Sequence, residues 1–203
     1  FKYTDLIQEV KDLLLGLLSS FNSDLPNTET LTFQQCFKQY LNVDIFNVST
    51  DELNTQCESF DYSGSYLESD EALDYLFATQ IQKQFKKNKI YFVTHFPATQ
   101  AALAEINPEN NKTSLRFEVY YQRQELGNGY QELTDSEELL ARFKQDNETR
   151  KSNDLNEIQI DYHLLEAMKN DKFKSGMPQC SGIAIGLDRL LMVLLGVSSI
   201  RDV

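Results

Sequence analysis

One short segment that ends at Arg189 constrains the structure of this chain more than any other. It reads Ser-Gly-Ile-Ala-Ile-Gly-Leu-Asp-Arg and predicts a strand on which Gly182, Ala184 and Gly186 share one face. Because that face carries little side-chain bulk, a flat ligand can lie against the main chain there. Asp188 stands where the N-cap of a following helix is expected, and Arg189 adds a guanidinium. The combination suits a nucleoside triphosphate, although such glycines also permit close packing of a neighbouring helix.

Length and charge narrow the class of protein. The 203 residues suffice for one well-buried core, so we expect a single domain over 1–203. The net charge of −12 argues against extensive nucleic-acid binding, which normally needs a basic surface. A small triphosphate is still compatible, since a magnesium ion, a helix terminus and a few arginines can neutralise it. Cysteines without metal-ligand spacing, no membrane-spanning stretch and no signal-peptide pattern predict a cytoplasmic protein that is not bound to a membrane.

The first half of the chain has the apolar spacing of helices, with apolar residues recurring every three or four positions. We interpret residues 20–88 as a helical insertion, within which Thr50 is expected to cap one helix. The predicted helices of this half cover 6–18, 32–41, 50–59 and 69–87.

Strand signals dominate residues 89–203, where β-branched and aromatic residues cluster. The second and third of the expected strands would form an antiparallel hairpin that turns through 122–124. Helices followed by a sheet with further interleaved helices predict an α+β fold with an antiparallel sheet flanked by helices. The predicted strands are 90–96, 115–122, 125–133 and the segment from 181, with a short helix or turn over 98–106 and helices over 136–151 and 162–170.

The predicted hairpin carries the polar residues that suggest chemistry. Glu118 and Glu125 lie symmetrically about its turn, so pairing would bring their carboxylates together, as a hard cation bridging phosphate oxygens requires. Asn128, Tyr130 and Glu132 have strand spacing and would share a face suited to a small amino compound. Taken singly, each acid is more often a solvated surface residue.

Together, the hairpin and the glycine-rich strand resemble the core of the class II aminoacyl-tRNA synthetases, most of all the lysine branch. The resemblance implies a class II synthetase-like antiparallel sheet and makes Arg189 the catalytic arginine of motif 3, in contact with the ATP γ-phosphate. It implies that Glu118 and Glu125 bind magnesium, that Asn128 lies beside the substrate carboxylate and that Glu132 receives the lysine ammonium. The implied ATP-binding residues are Glu118, Val119, Gly186 and Arg189, and the implied substrate-binding residues are Glu125, Asn128, Tyr130, Glu132 and Ala184.

Within this branch the chain is most similar to the elongation factor P lysine ligases. Segments 95–106, 142–147 and 176–182 look like that family's versions. Ala184 stands where lysyl-tRNA synthetases usually have glycine. One methyl group on a tight pocket floor changes substrate fit by ~1 kcal/mol, enough to favour β-lysine over α-lysine.

The resemblance implies ATP-dependent activation of (R)-β-lysine, or lysine, and its transfer to a lysine side chain of elongation factor P. ATP and Mg²⁺ would be required, and the intact protein would be a homodimer. Motifs 1 and 2 of the class are absent and are expected before Phe1, so this stretch alone is predicted to be inactive. Residues 170–174 lengthen the approach to Gly176. Two alternatives stay open: the core of a true lysyl-tRNA synthetase, and an inactive synthetase-like binding module.

Overall fold

The computed structural model describes residues 2–21, 24–169 and 176–203. Residues 170–174, the predicted longer approach to Gly176, lie outside the described residues. The helices are α1 (Tyr3–Ser19), α2 (Phe33–Leu41), α3 (Thr50–Ser59), α4 (Ser69–Leu76), α5 (Ser136–Ser152), α6 (Tyr162–Met168) and α7 (Leu187–Leu195). The strands are β1 (Asn27–Thr32), β2 (Lys89–Thr94), β3 (Arg116–Tyr121), β4 (Gln124–Gln131) and β5 (Ser181–Ile185).

The strands form one sheet in the order β1-β2-β3-β4-β5, with β1 parallel to β2 and the other pairs antiparallel. The predicted α+β fold, with an antiparallel sheet flanked by helices, is therefore confirmed, apart from the parallel pair of β1 and β2. Strand β1 was not predicted, because it lies inside the segment interpreted as helical. It is an edge strand whose pairing is long-range, and the Lys89 ammonium binds the Glu29 carboxylate at 2.7 Å across that pairing.

The two faces of the sheet are covered differently. Helices α1 and α7 pack on one face, where Leu14 and Val193 join Phe117 and Val119 in a buried cluster. Helices α2 to α4 pack on the other face, over β1 to β3. On that second face, β4 and β5 carry half-buried Asn128 and exposed Ala184, so the sheet surface is accessible beside the helical layer.

Helix boundaries follow their capping residues, with one correction to the sequence analysis. The Ser49 side chain accepts a hydrogen bond from the Glu52 N–H, so Ser49 is the N-cap of α3 and the prediction of Thr50 is wrong by one residue. The predicted helix over 69–87 ends as an α-helix at Leu76 and continues as a π-helical turn, Phe77–Ile81, and a 3₁₀ turn, Gln82–Gln84. Among the described residues, none of the helices combines the length and the apolar character needed to cross a lipid bilayer.

Replacing Leu14 tests the packing of α1 on the sheet. The side chain is 1% exposed, so Leu14→Ala should lower the free energy of unfolding by about 2–5 kcal/mol through lost burial and a residual cavity. Leu13→Ala is the matched control, because Leu13 is 49% exposed and its truncation should change stability by less than about 0.5 kcal/mol. Urea unfolding measures both, and equal losses would contradict the described packing of α1.

Candidate active site

The hairpin of β3 and β4 contains a bulge that decides which side chains meet. Gln122 and Arg123 form its two-residue turn, both with positive φ, and Gln124 already belongs to β4. The register shifts between Val119 and Tyr120, so Glu118 pairs with Asn128 and Tyr120 with Glu125. The two acids therefore share a face but are not direct cross-strand partners, which corrects the symmetric pairing predicted from the sequence.

Strand β5 forms the floor of this face. Ala184 pairs with Asn128 and Gly182 with Tyr130, while Ile183 and Ile185 pack on the opposite face, as the alternation predicts. A β-carbon added at Gly182 would lie 2.7 Å from a carboxylate oxygen of Glu132. The Glu132 carboxylate therefore lies directly over the main chain of Gly182, where a larger residue would contact it.

The open surface of the sheet that carries these residues is called the cleft below. Arg189, in helix α7, lies at its edge. Its Nη1 donates to the Glu125 carbonyl at 2.8 Å and lies 3.4 Å from the Glu125 carboxylate. The Arg189 side chain is 55% exposed and borders an open cavity of about 620 Å³. Gly186 is the N-cap of α7, so the prediction of Asp188 as the cap is wrong, and Asp188 lies in the first turn, where its charge suits the helix dipole. The apolar run from Leu190 to Leu195, whose sequence predicts a buried helix, is only partly buried, because Leu191 and Leu195 are exposed.

Glu118 is the most buried acid of the site, with 7% of its surface exposed. Arg116 donates from Nη2 to one carboxylate oxygen at 2.6 Å, and the Tyr120 hydroxyl donates to the other. Burial raises the pKa of Glu118, the Arg116 guanidinium and the Tyr120 hydroxyl act against that rise, and the nearby charge of Glu125 adds to it. Because Tyr120, two residues after Glu118, pairs with Glu125, the two carboxylates lie on the same face of the sheet.

These two carboxylates fit a magnesium ion. Mg²⁺ in nucleotide sites is usually held by one or two carboxylates together with phosphate oxygens, so a larger cage of protein ligands is not needed. No cluster of three or more metal-ligating side chains occurs in residues 2–21, 24–169 and 176–203. A cation between Glu118 and Glu125 would also offset the repulsion that raises the pKa of Glu118.

Glu132 and Asn128 are polar groups without a protein partner. Within the part of the chain that the structure describes, neither side chain forms a hydrogen bond or ion pair. Partial burial raises the pKa of Glu132, and no cation among the described residues opposes that rise. Burial also raises the pKa of Tyr130, the Arg116 guanidinium opposes that rise, and the charges of Glu118, Glu132 and Glu125 add to it. A free carboxylate and a free amide thus flank an aromatic ring, an arrangement suited to an amino-acid-like ligand.

The structure brings together all the predicted site residues except one. The Val119 side chain is 1% exposed and packs on the opposite face with α1, so it points away from the other predicted site residues. Conversely, sequence reasoning missed Arg116, which pairs with Tyr130 and lies on the site face. Its position two residues before Glu118 is the signal that could have placed it there.

Comparison with known proteins agrees with this geometry. The family model "tRNA synthetases class II (D, K and N)" matches residues 1–203. The chain is also 40% identical over 201 residues to the elongation factor P–(R)-β-lysine ligase of Salmonella arizonae. The aligned region covers 98% of this chain and 59% of that relative. The chain thus spans less than two thirds of the length of the curated relative that it matches. Because the family model matches from the first residue to the last, the protein belongs to the class II tRNA synthetases of the D, K and N group.

Proposed function

We propose that the full-length protein activates (R)-β-lysine, or lysine, with ATP and transfers it to a lysine side chain of elongation factor P. The observation that carries the proposal is the convergence of Glu118, Glu125, Glu132 and Arg189 on one face of the sheet, above a floor with little side-chain bulk. A relative that is 40% identical bears the name of this ligase activity. We further propose a cytoplasmic location and a homodimeric full-length protein.

The amino acid would occupy the end of the cleft around Glu132. The unpaired Glu132 carboxylate is suited to an alkyl ammonium, and the free Asn128 amide is suited to the substrate carboxylate. The Ala184 methyl group lies beside the Asn128 side chain on the same face of the sheet, because the two residues pair across β4 and β5. These contacts support a diamino acid such as lysine or β-lysine as the substrate.

ATP would occupy the end around Arg189. Gly186 leaves the main chain accessible, and Arg189 is exposed enough to exchange Glu125 for a phosphate oxygen. Glu118 and Glu125 would hold the magnesium ion, which supplies positive charge to the phosphate oxygens when it is bound.

The chemistry needs positioning more than proton transfer. In the first step a carboxylate oxygen of the amino acid bonds to the α-phosphorus of ATP as the bond to the departing pyrophosphate breaks. The carboxylate is already a nucleophile, so the residues of the cleft act by holding the reactants together and neutralising charge. In the second step the amine of the acceptor lysine bonds to the carbonyl carbon of the mixed anhydride, loses a proton and displaces AMP.

A lysyl-tRNA synthetase would use the same first step but transfer the amino acid to tRNA. The net charge of −12 and the methyl group of Ala184 favour a protein acceptor and β-lysine over that alternative. An inactive binding module would bind ligands in the cleft without forming an adenylate. Exchange of labelled pyrophosphate into ATP separates an active enzyme from a binding module, and transfer of labelled amino acid to elongation factor P or to tRNA separates the two enzymes.

Removing the charged groups proposed to bind ATP and its magnesium should abolish adenylate formation. Arg189→Ala removes the guanidinium beside the departing pyrophosphate, and Glu118→Gln removes a ligand charge for magnesium, so each should reduce β-lysine-dependent ATP–pyrophosphate exchange by at least ~100-fold. Arg201→Ala is the control, because Arg201 is an exposed arginine beyond α7. Near wild-type exchange in either site variant would mean that the site is assigned wrongly.

Glu132→Gln should weaken amino-acid binding selectively. An amide cannot neutralise the substrate ammonium, and a lost charged hydrogen bond costs roughly 1.5–3 kcal/mol, which corresponds to a rise of about 10- to 150-fold in KM for β-lysine. The KM for ATP should stay within about twofold. Glu137→Gln removes an exposed charge at the start of α5 and should change neither constant. A KM for β-lysine that stays at the wild-type value would remove Glu132 from the substrate site.

Ala184→Gly should relax the choice between lysine isomers. Removing the methyl group changes the fit by ~1 kcal/mol, so the ratio of kcat/KM for α-lysine to that for β-lysine should rise about fivefold. Ala102→Gly serves as the control, because Ala102 is exposed and lies outside the strands that form the cleft. An unchanged ratio in Ala184→Gly would show that the floor does not contact the part of the substrate that distinguishes the isomers.

A further inference from the structure

The guanidinium of Arg116 is fixed by several groups of the protein itself. Its Nη1 donates to the Gln100 carbonyl at 2.7 Å, and its Nη2 donates to Glu118 at 2.6 Å. The guanidinium also lies 4.5 Å from the centre of the Phe96 ring, a distance typical of a cation–π contact. Three separate partners therefore fix the plane of the guanidinium and leave little freedom to follow a ligand.

The Gln100 partner is itself anchored to helix α4. The Gln100 side-chain amide donates to the Asp74 carboxylate at 2.9 Å and to the Asp70 carbonyl at 3.3 Å. The neighbouring Thr99 hydroxyl donates to the Asp70 carboxylate at 2.8 Å. The turn Ala98–Gln100 is thus tied to the helical layer by its side chains and to Arg116 by its main chain.

Glu118 depends on this arrangement for its direction. Arg116 and Tyr120 are the two groups that bind its carboxylate in the described structure, one on each oxygen. The hydroxyl of Tyr120 can rotate about its C–O bond, whereas the guanidinium is a planar donor fixed by Gln100 and Phe96. Arg116 therefore limits the rotation of the Glu118 carboxylate about its own side-chain bonds.

We propose that Arg116 is a positioning residue, which aims the Glu118 carboxylate into the cleft and is itself held in place by helix α4 through Gln100. The inference rests on the proposed function, since it concerns the direction of a group that would hold the magnesium of ATP. Lysine cannot replace Arg116, because an ammonium cannot bind the Gln100 carbonyl and the Glu118 carboxylate with a fixed plane.

The test uses the full-length protein and the variants Arg116→Ala and Arg116→Lys. Calorimetric titration with ATP and Mg²⁺ should give a Kd at least ~10-fold weaker for both variants, and the half-saturating Mg²⁺ concentration for ATP–pyrophosphate exchange should rise by a similar factor. The Kd for β-lysine should stay within about twofold of the wild-type value. A role confined to stability would instead lower the melting temperature without this selective loss of nucleotide and metal binding.

Arg142→Ala is the matched control. Arg142 also donates to main-chain carbonyls of the segment beside Arg116, those of Ala102 and Ala104 at 2.8 Å each, and pairs with a glutamate, Glu138. In the part of the chain that the structure describes, Arg142 forms no hydrogen bond or ion pair with Glu118. Its removal should leave the Mg²⁺ dependence unchanged. Equal effects of Arg142→Ala and Arg116→Ala would overturn the proposal.

Gln100→Ala provides a second route if Arg116→Ala does not fold. This variant keeps the main-chain carbonyl and the Arg116–Glu118 pair but removes the tie to α4, so the half-saturating Mg²⁺ concentration should rise about two- to fivefold. Unchanged Mg²⁺ dependence in both Gln100→Ala and Arg116→Lys would show that Glu118 does not need this support. If the wild-type protein itself failed to bind ATP with Mg²⁺, the proposed function would fail, whereas normal wild-type binding with unaffected variants would refute the positioning role alone.

Discussion

The bulge in the β3–β4 hairpin is the local feature on which the candidate site depends. Glu125 and Asn128 are three residues apart, so regular alternation along β4 would place them on opposite faces. In the structure Leu126 is buried in the α1 and α7 layer, and Gly127 pairs with Val119, so the extra residue is absorbed on the far side of the sheet. Both polar side chains then reach the cleft, and Glu125 comes within reach of Arg189.

The three acids of the cleft have three different electrostatic environments. Glu118 is buried and bound to Arg116, which other contacts hold fixed. Glu125 is half-buried and lies beside Arg189, which is exposed. Glu132 is half-buried, and none of the described residues places a cation beside its carboxylate. The acids thus range from one bound to a fixed guanidinium to one with no cation beside it in the described residues. This difference supports separate roles for carboxylates that look alike in the sequence.

Local sequence patterns predicted what local geometry determines. Alternation alone gave the two faces of β5, and two strand-like runs around residue 122 located the hairpin, because both depend on neighbours along the chain. The pairing of Glu118 with Asn128 could not be predicted, since the bulge depends on how Leu126 packs against distant helices. Strand β1 was missed for the same reason, because its partner β2 is distant in the sequence. The contact of Arg116 with the Gln100 carbonyl likewise joins residues that are separated along the chain.

Tyr120 joins the hydrophobic core directly to the polar cleft. Its ring packs against Phe77 and Phe85, at 5.7 and 5.5 Å between ring centres, within the core under α2 to α4, while its hydroxyl binds Glu118. Loosening of that core would therefore disturb one of the two groups that bind the Glu118 carboxylate. The packing of buried phenylalanines in the helical layer is thus linked, through one tyrosine, to the direction of a carboxylate in the cleft.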